Sequence, residues 1–239
     1  MKLTFIGTRA FIKSRTPQHF YNAACIVSHR STHIMIDCGV DWQGKLADIR
    51  PRPSAIIISH PHPDHIWGLQ DGAPCPVYAT TRAFQKVSSY VLERHVIKAY
   101  VPFTIGSLTV CAFSVEHSLL LPTVGYRITD GTKTIFYIPD LVYIRRRAAA
   151  LKNVDLYIGD GARVEVPRVF KRGKRLFGHT SIAQQLRWCQ QEQVSRAAFT
   201  HCGTDIVTEP EASAQKVAAL GKKYGVDVII AHDGLVMKV

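Results

Sequence analysis

The chain has 239 residues, 46% hydrophobic and 20% charged, with 30 Lys+Arg against 18 Asp+Glu and a formal charge of +12. That length and mixture allow a sizeable core and exclude a low-complexity or disordered chain. No run approaches the ~18 apolar residues of a membrane helix, the first residues lack a signal-peptide apolar region, and the basic balance favours polyanionic partners or anionic substrates.

In chain order, residues 3–6, 24–27 and 33–37 read as strands, and the third ends in Asp37-Cys38-Gly39. Asp37 can start a turn. Residues 55–58 are β-branched and uninterrupted, as in a strand buried on both faces. Directly behind them stands Ser59-His60-Pro61-His62-Pro63-Asp64-His65, with three histidines and a carboxylate in six positions. Pro61 and Pro63 bias His60 and His62 to extended backbone, so the two rings can point toward one cation. Asp64 and His65 then begin a helix. Imidazole and carboxylate donors suit zinc, manganese or iron.

Residues 76–79 read as a strand, and 81–95 as a helix with Ala83, Val87, Tyr90 and Val91 facing inward. Residues 103–106 and 108–115 suggest a hairpin about Gly106-Ser107 that delivers His117. A second hairpin, 123–129 with 133–138 across Asp130-Gly131, ends in Asp140. Residues 154–161 are strand then loop, ending near Asp160. Residues 163–175 are basic, with Pro167 and Gly173 as breakers, so they read as irregular. Thr180 or Ser181 can cap a helix that buries Ile182, Leu186 and Cys189. Residues 197–200 lead into His201. A helix over 209–224 buries Val217, Leu220 and Tyr224, and a strand over 226–231 ends in His232.

One event recurs: an apolar strand ends and His or Asp follows, at Asp37, His60, His117, Asp140, Asp160, His201 and His232. Donors at strand ends share one rim of a layered sheet structure, which suits a preorganised site. Six cysteines, Cys25, Cys38, Cys75, Cys111, Cys189 and Cys202, form no CxxC pair and read as thiols of a reducing, cytoplasmic setting. Arg163, Arg168, Lys171, Arg172, Lys174 and Arg175, with Arg145-Arg146-Arg147, are expected along the rim, and Phe170 and Phe177 interleave with them where a base can stack.

The run His60-Pro61-His62-Pro63-Asp64-His65 resembles the HxHxDH signature of the metallo-β-lactamase-fold hydrolases. That resemblance covers nearly the whole chain and implies an α/β (α+β) fold: a four-layer αββα sandwich of two mixed β-sheets flanked by helices, in a single domain over 1–239. It implies that His60, His62 and His117 hold one divalent metal, that Asp64, His65 and His201 hold another, that Asp140 bridges them and that Asp37 supports the metal loop. Zinc is expected first, manganese or iron next, with a bridging hydroxide as nucleophile. Gly178-His179-Thr180-Ser181, followed by Thr200-His201-Cys202-Gly203, resembles the ribonuclease Z and phosphoribosyl cyclic-phosphate diesterase branch.

In that branch His179 would lie beside the scissile phosphate, oriented by Asp160, with Asp64 also among the catalytic groups. Ala231-His232-Asp233-Gly234-Leu235 resembles the end of the diesterases, which puts His232 behind the site. The expected function is a metal-dependent phosphodiesterase acting on a nucleotide-like or cyclic phosphodiester. Other readings are a ribonuclease Z-like RNA-processing nuclease, a lactone, ester or thioester hydrolase on the same metals, and a basic nucleic-acid-binding protein with structural metals. Expected partners are an anionic phosphodiester, with nucleic acid and a second copy as candidates, and no membrane.

Overall fold

Apolar residues that alternate along the chain pair into two mixed sheets in the computed structural model, which describes residues 1–239. Strands β1 (Lys2–Gly7), β2 (Ala24–His29), β3 (Thr32–Ile36), β4 (Ala55–Ile57), β5 (Val77–Thr80) and β6 (Arg94–Ile97) form the first sheet. The second contains β7 (Phe103–Ile105), β8 (Leu108–Glu116), β9 (Thr123–Thr129), β10 (Thr134–Tyr137), β11 (Tyr143–Ile144) and β12 (Leu156–Asp160). A separate hairpin, β13 (Arg168–Arg172) with β14 (Arg175–His179), precedes its last strands, β15 (Arg196–Thr200) and β16 (Asp227–Ile230). The closing strand β17 (Val236–Lys238) returns to the first sheet and pairs antiparallel with β1.

The two sheets repeat one pattern. In the first, β1, β2 and β3 pair antiparallel, then β3 through β6 run parallel. In the second, β8, β9 and β10 pair antiparallel, then β10, β12, β15 and β16 run parallel. Strands β8, β10, β12 and β15 therefore point the same way, and their C-terminal ends share one rim. Crevices at such strand ends are where open α/β sheets carry ligands.

Period-two burial produces three cores and hence four layers. Cys25, Val27, Ile34 and Ile36 meet Tyr126, Ile135 and Tyr137 between the sheets. Their neighbours Ile26, Met35 and Ile56 face outward against Trp42, Leu69 and Phe84. Phe136, Tyr157 and Phe199 face the other way against Leu186 and Val217. The outer layers hold α1 (Pro63–Ile66), α2 (Thr81–Lys86), α3 (Arg147–Leu151), α4 (Ile182–Gln191), α5 (Thr204–Thr208) and α6 (Pro210–Tyr224). Ser181 caps α4 by accepting from Gln184 N. No helix is long and apolar enough to cross a membrane.

Four expectations are corrected. The helix expected over 81–95 stops at Lys86, and Arg94–Ile97 becomes a strand against β5. Arg94 closes that turn by donating to the carbonyls of Val87, Ser88 and Tyr90, and Val91 is exposed, not inward. The basic stretch is a hairpin, because Gly173 at φ +59 makes its tight turn instead of breaking a pattern. In α6 Val217 is buried, whereas Leu220 and Tyr224 are only partly so. Strand β17 follows a turn at Gly234 and was not expected.

Candidate metal centre

The loop after β4 is fixed by Asp37, at the end of β3. One Asp37 oxygen accepts from Ser59 N at 2.7 Å, and the other from Ser59 Oγ at 2.7 Å and from His65 Nδ1 at 2.9 Å. The bond from His65 Nδ1 leaves His65 Nε2 to face the centre, the role an outer carboxylate plays for a ligating imidazole. Asp37 adopts φ +62, a left-handed conformation that Asp tolerates and that turns its carboxylate under the loop. Cys38 N donates to His65 O at 2.7 Å, and Gly39 lies so close that a Cβ there would sit 2.0 Å from Asp64 O.

The extended backbone imposed by the prolines turns His60 and His62 the same way, with His60 Nε2 and His62 Nδ1 2.8 Å apart. His117 arrives from the end of β8. Its Nδ1 sits 2.9 Å from Gly178 O, and its Nε2 lies 3.4 Å from His62 Nδ1. Asp140 follows β10 and stands between two groups of donors. Its Oδ2 is 3.3 Å from Nε2 of His60, of His65 and of His117, while its Oδ1 is 2.8 Å from His201 Nδ1. His201, in the left-handed region at φ +54, puts its Nε2 3.2 Å from Asp64 Oδ2, which is also 3.2 Å from His65 Nε2. All seven expected ligands are thus brought together.

Three of these buried polar atoms, His65 Nε2, Asp140 Oδ1 and His201 Nδ1, have no hydrogen-bond partner. Ligand-type nitrogen and oxygen atoms that converge without hydrogen bonding suit a shared cation, so the set fits divalent metal binding. A further cluster joins Asp140 and His201 with Asp160 and His179. Asp160 is no ligand, because its oxygens already accept from Leu141 N at 3.1 Å, Ala162 N at 2.8 Å and His179 Nδ1 at 2.8 Å.

Protonation divides the centre. Burial and adjacent rings hold His60 well below the ordinary imidazole value, lower His62 to about 4 and lower His117. His65 and His201 are lowered by burial too, but Asp64 and Asp140 outweigh it and hold them well above. Burial works against ionisation of Asp64 and Asp140, yet the nearby imidazoles hold both well below the usual carboxylate range. Without a cation, burial thus favours the neutral form in one group of rings, and the facing carboxylates favour the charged form in the other.

His179 ends β14 and lines the same cleft of about 460 Å³ as His62, Asp64, His117, Asp140 and His201. Burial would lower its pKa, but Asp160 wins and raises it. Arg163 and Arg168 reach the cleft. The rest of the basic stretch does not: Arg147 binds Glu192, and Arg145 and Arg175 line a second cleft. His232 is a correction. It is exposed, its Nδ1 lies on its neighbour's carbonyl, Asp233 O, and it does not line the cleft. Asp233 instead ties the chain end to Thr8 and to the amides of Phe20 and Tyr21.

One wall went unread in the sequence. Ala10, Phe11 and Ile12 line the cleft, and buried Arg9 holds them by donating to Ala10 O and Ile12 O while pairing with Asp41. An arginine just beyond an apolar strand was the available signal.

Comparison with known proteins agrees with this geometry. The family described as beta-lactamase superfamily domain matches residues 32–202. A ribonuclease Z of Thermosynechococcus vestitus is 28% identical over 156 residues, covering 56% of this chain and 38% of that protein. The chain spans about half the length, or less, of the curated relatives matched in this way. Among solved structures, the metallo-beta-lactamase fold protein YhfI from Bacillus subtilis aligns with a TM-score of 0.77 at 20% identity, over 99% of this chain and 98% of that one. A diphosphatase from the PhnP family aligns at 0.76 and 18% identity, over 100% and 97%. With the family match extending over most of the chain and the fold shared throughout, this protein belongs to the beta-lactamase superfamily of metallo-β-lactamase-fold domains.

Proposed function

We propose that this chain is a hydrolase that cleaves phosphodiesters, nucleotide-like or cyclic, with two divalent cations. His60, His62 and His117 would hold one, Asp64, His65 and His201 the other, with Asp140 shared; zinc is the first choice, manganese or iron the next. Bound there, such cations supply a water acidic enough to attack near neutral pH and positive charge for the phosphoryl oxygens. Six free cysteines support a reducing, cytoplasmic setting.

The chain's own part centres on His179, and the observation that carries the reading is its 2.8 Å bond to Asp160 inside the cleft. Asp160 cannot swing away, since Leu141 N and Ala162 N hold its other lone pairs. With Nδ1 committed to Asp160, His179 has Nε2 left to hand a proton to a departing alkoxide. Asp160 keeps that proton on the ring by raising its pKa. Arg163 and Arg168 add cationic charge that suits a phosphate.

Metal analysis of the purified protein, with His62→Ala and Asp140→Ala assayed on a bis-aryl phosphodiester, tests the cation assignment; undiminished turnover in both variants overturns it. His179→Ala tests the proton. We expect roughly a 10²- to 10⁴-fold loss of kcat with an alkyl leaving group, and a much smaller loss with nitrophenolate, which departs unprotonated. An acyl substrate on the same donors would show no such split. RNA processing is a second reading, favoured by relatives named ribonuclease Z.

A further inference from the structure

The hairpin before His179 orders its side chains in a way that charge alone does not convey. Its register sets Arg168 opposite His179, Phe170 opposite Phe177 and Arg172 opposite Arg175. Opposed residues of an antiparallel pair share a face, as do residues two apart along a strand. One face therefore carries three rungs in line: the cleft histidine with an arginine, then two phenylalanines, then two arginines.

The rings stack at 5.3 Å between centroids and 27° between planes, and the Arg168 guanidinium lies 5.8 Å from the Phe170 centroid. Phe170 remains 47% exposed, and the hairpin belongs to neither sheet, so this aromatic pair fills no core. At the far rung, Arg175 lines a cleft of about 360 Å³ together with Arg82 and Arg145. Arg145 pairs with Glu116, and Arg163 lies 4.0 Å from Asp205, but Arg168, Arg172 and Arg175 have no carboxylate partner. Exposed stacked rings flanked on both sides by arginines that no carboxylate neutralises, Arg175 also donating to Leu119 O at 2.7 Å, match a strand of alternating phosphates and bases.

We propose that this face is a binding subsite for single-stranded nucleic acid, so that the substrate is an oligonucleotide and not a mononucleotide. The inference rests on the phosphodiesterase reading: the scissile phosphate lies by His179 and Arg168, the adjoining base on Phe170 and Phe177, and the phosphate two steps along on Arg172 and Arg175. Rungs on one strand face recur about every 6.7 Å, so the two arginine rungs, roughly 13 Å apart, span about two steps of an extended nucleotide strand. A paired base hides its face, which excludes duplex. Stacking is sequence-tolerant, so little base preference is expected.

Anisotropy of fluorescein-labelled single-stranded RNA and DNA 10-mers tests the subsite independently of catalysis. The measurement is made on the wild-type chain and, to remove turnover, on His62→Ala. Phe170→Ala combined with Phe177→Ala should weaken binding roughly ten- to hundredfold, and Phe170→Trp should retain it. Arg172→Ala combined with Arg175→Ala should lower the slope of log K against log salt by about 0.7, the value for one phosphate on a single strand. In turnover, both double variants should lose at least tenfold more kcat/KM on the oligonucleotide than on the aryl diester. Unchanged binding, or equal losses on the two substrates, overturns the subsite. A chain that binds through these residues yet cleaves neither substrate overturns the hydrolase reading instead.

Discussion

Asp160 uses both carboxylate oxygens inside the protein, and only one of its three donors, His179 Nδ1, belongs to a group that titrates near neutral pH. Burial alone would push the Asp160 pKa up, but His179 outweighs it and holds it down, while Asp160 in turn raises His179. Removing the carboxylate therefore leaves burial as the main influence on the imidazole, and its pKa must fall. If the protonated ring serves the leaving group, activity is lost as pH rises through that pKa. For Asp160→Asn, which keeps an acceptor for Leu141 N, the alkaline limb of the kcat profile should move to lower pH. A profile superimposable on the wild type would remove His179 from the proton path. Asp37 works by the same logic on His65, except that its three bonds fix direction: they aim Nε2 at the centre.

Strand ends deliver almost every donor, and that much was legible, because alternating apolar residues and the His or Asp behind them are local features of the sequence. Asp37, His60, His117, Asp140, Asp160 and His201 all stand where expected relative to their strands. The misses depend on distant pairing. Strand β6 exists because β5 leaves an edge for it, β17 because β1 does, and neither edge is visible in the residues that occupy it. His232 ends its strand as expected but at β16, the last strand of its sheet, and does not line the cleft. The left-handed backbone at Asp37 and His201 is also set from outside, the latter where Cys202 N donates to Thr8 O. The β13–β14 hairpin shows how an element carries chemistry. Gly178 has φ +107, and a Cβ there would lie 2.1 Å from Arg168 O, so only glycine lets β14 pass so near β13 while presenting His179 to Asp160. Gly178→Ala should introduce strain of about 1–3 kcal/mol and displace His179. Its kcat should fall while its metal content stays at the wild-type level; a variant with full kcat would mean that the approach is not needed to place the imidazole.

Over the whole molecule, ten histidine and carboxylate side chains from both sheets converge beneath a net charge of +12, and their protonation states oppose one another by location. Lowered pKa values favour neutral rings at His60, His62 and His117, so a cation entering there would compete with few protons near neutral pH. His65 and His201 hold protons against Asp64 and Asp140, so a cation there must expel them. The signs follow. Raised folded-state pKa values for His65 and His201 stabilise the metal-free fold fully below their unfolded value, and that contribution is lost as pH rises through the folded values. Lowered values for Asp64 and Asp140 contribute stability above their unfolded value, lost as pH falls through the folded ones. Cation binding at the second group runs opposite to the histidine contribution and strengthens with pH. If two cations bind as proposed, lowering pH should release the one at Asp64, His65 and His201 first, taking metal content from two per chain toward one before the fold is lost. Stripping the protein with a chelator should lower Tm, because the free energy of cation binding to the folded chain is then lost. At a free metal concentration a hundredfold above Kd the stabilisation is about 3 kcal/mol, which for a chain of this size corresponds to roughly 5–10 °C. Thermal melts of loaded and stripped protein across pH, with metal counted at each point, test both statements. The Tm difference should widen as pH rises, and a difference that is constant or narrows would mean that His65 and His201 give up no protons to the metal.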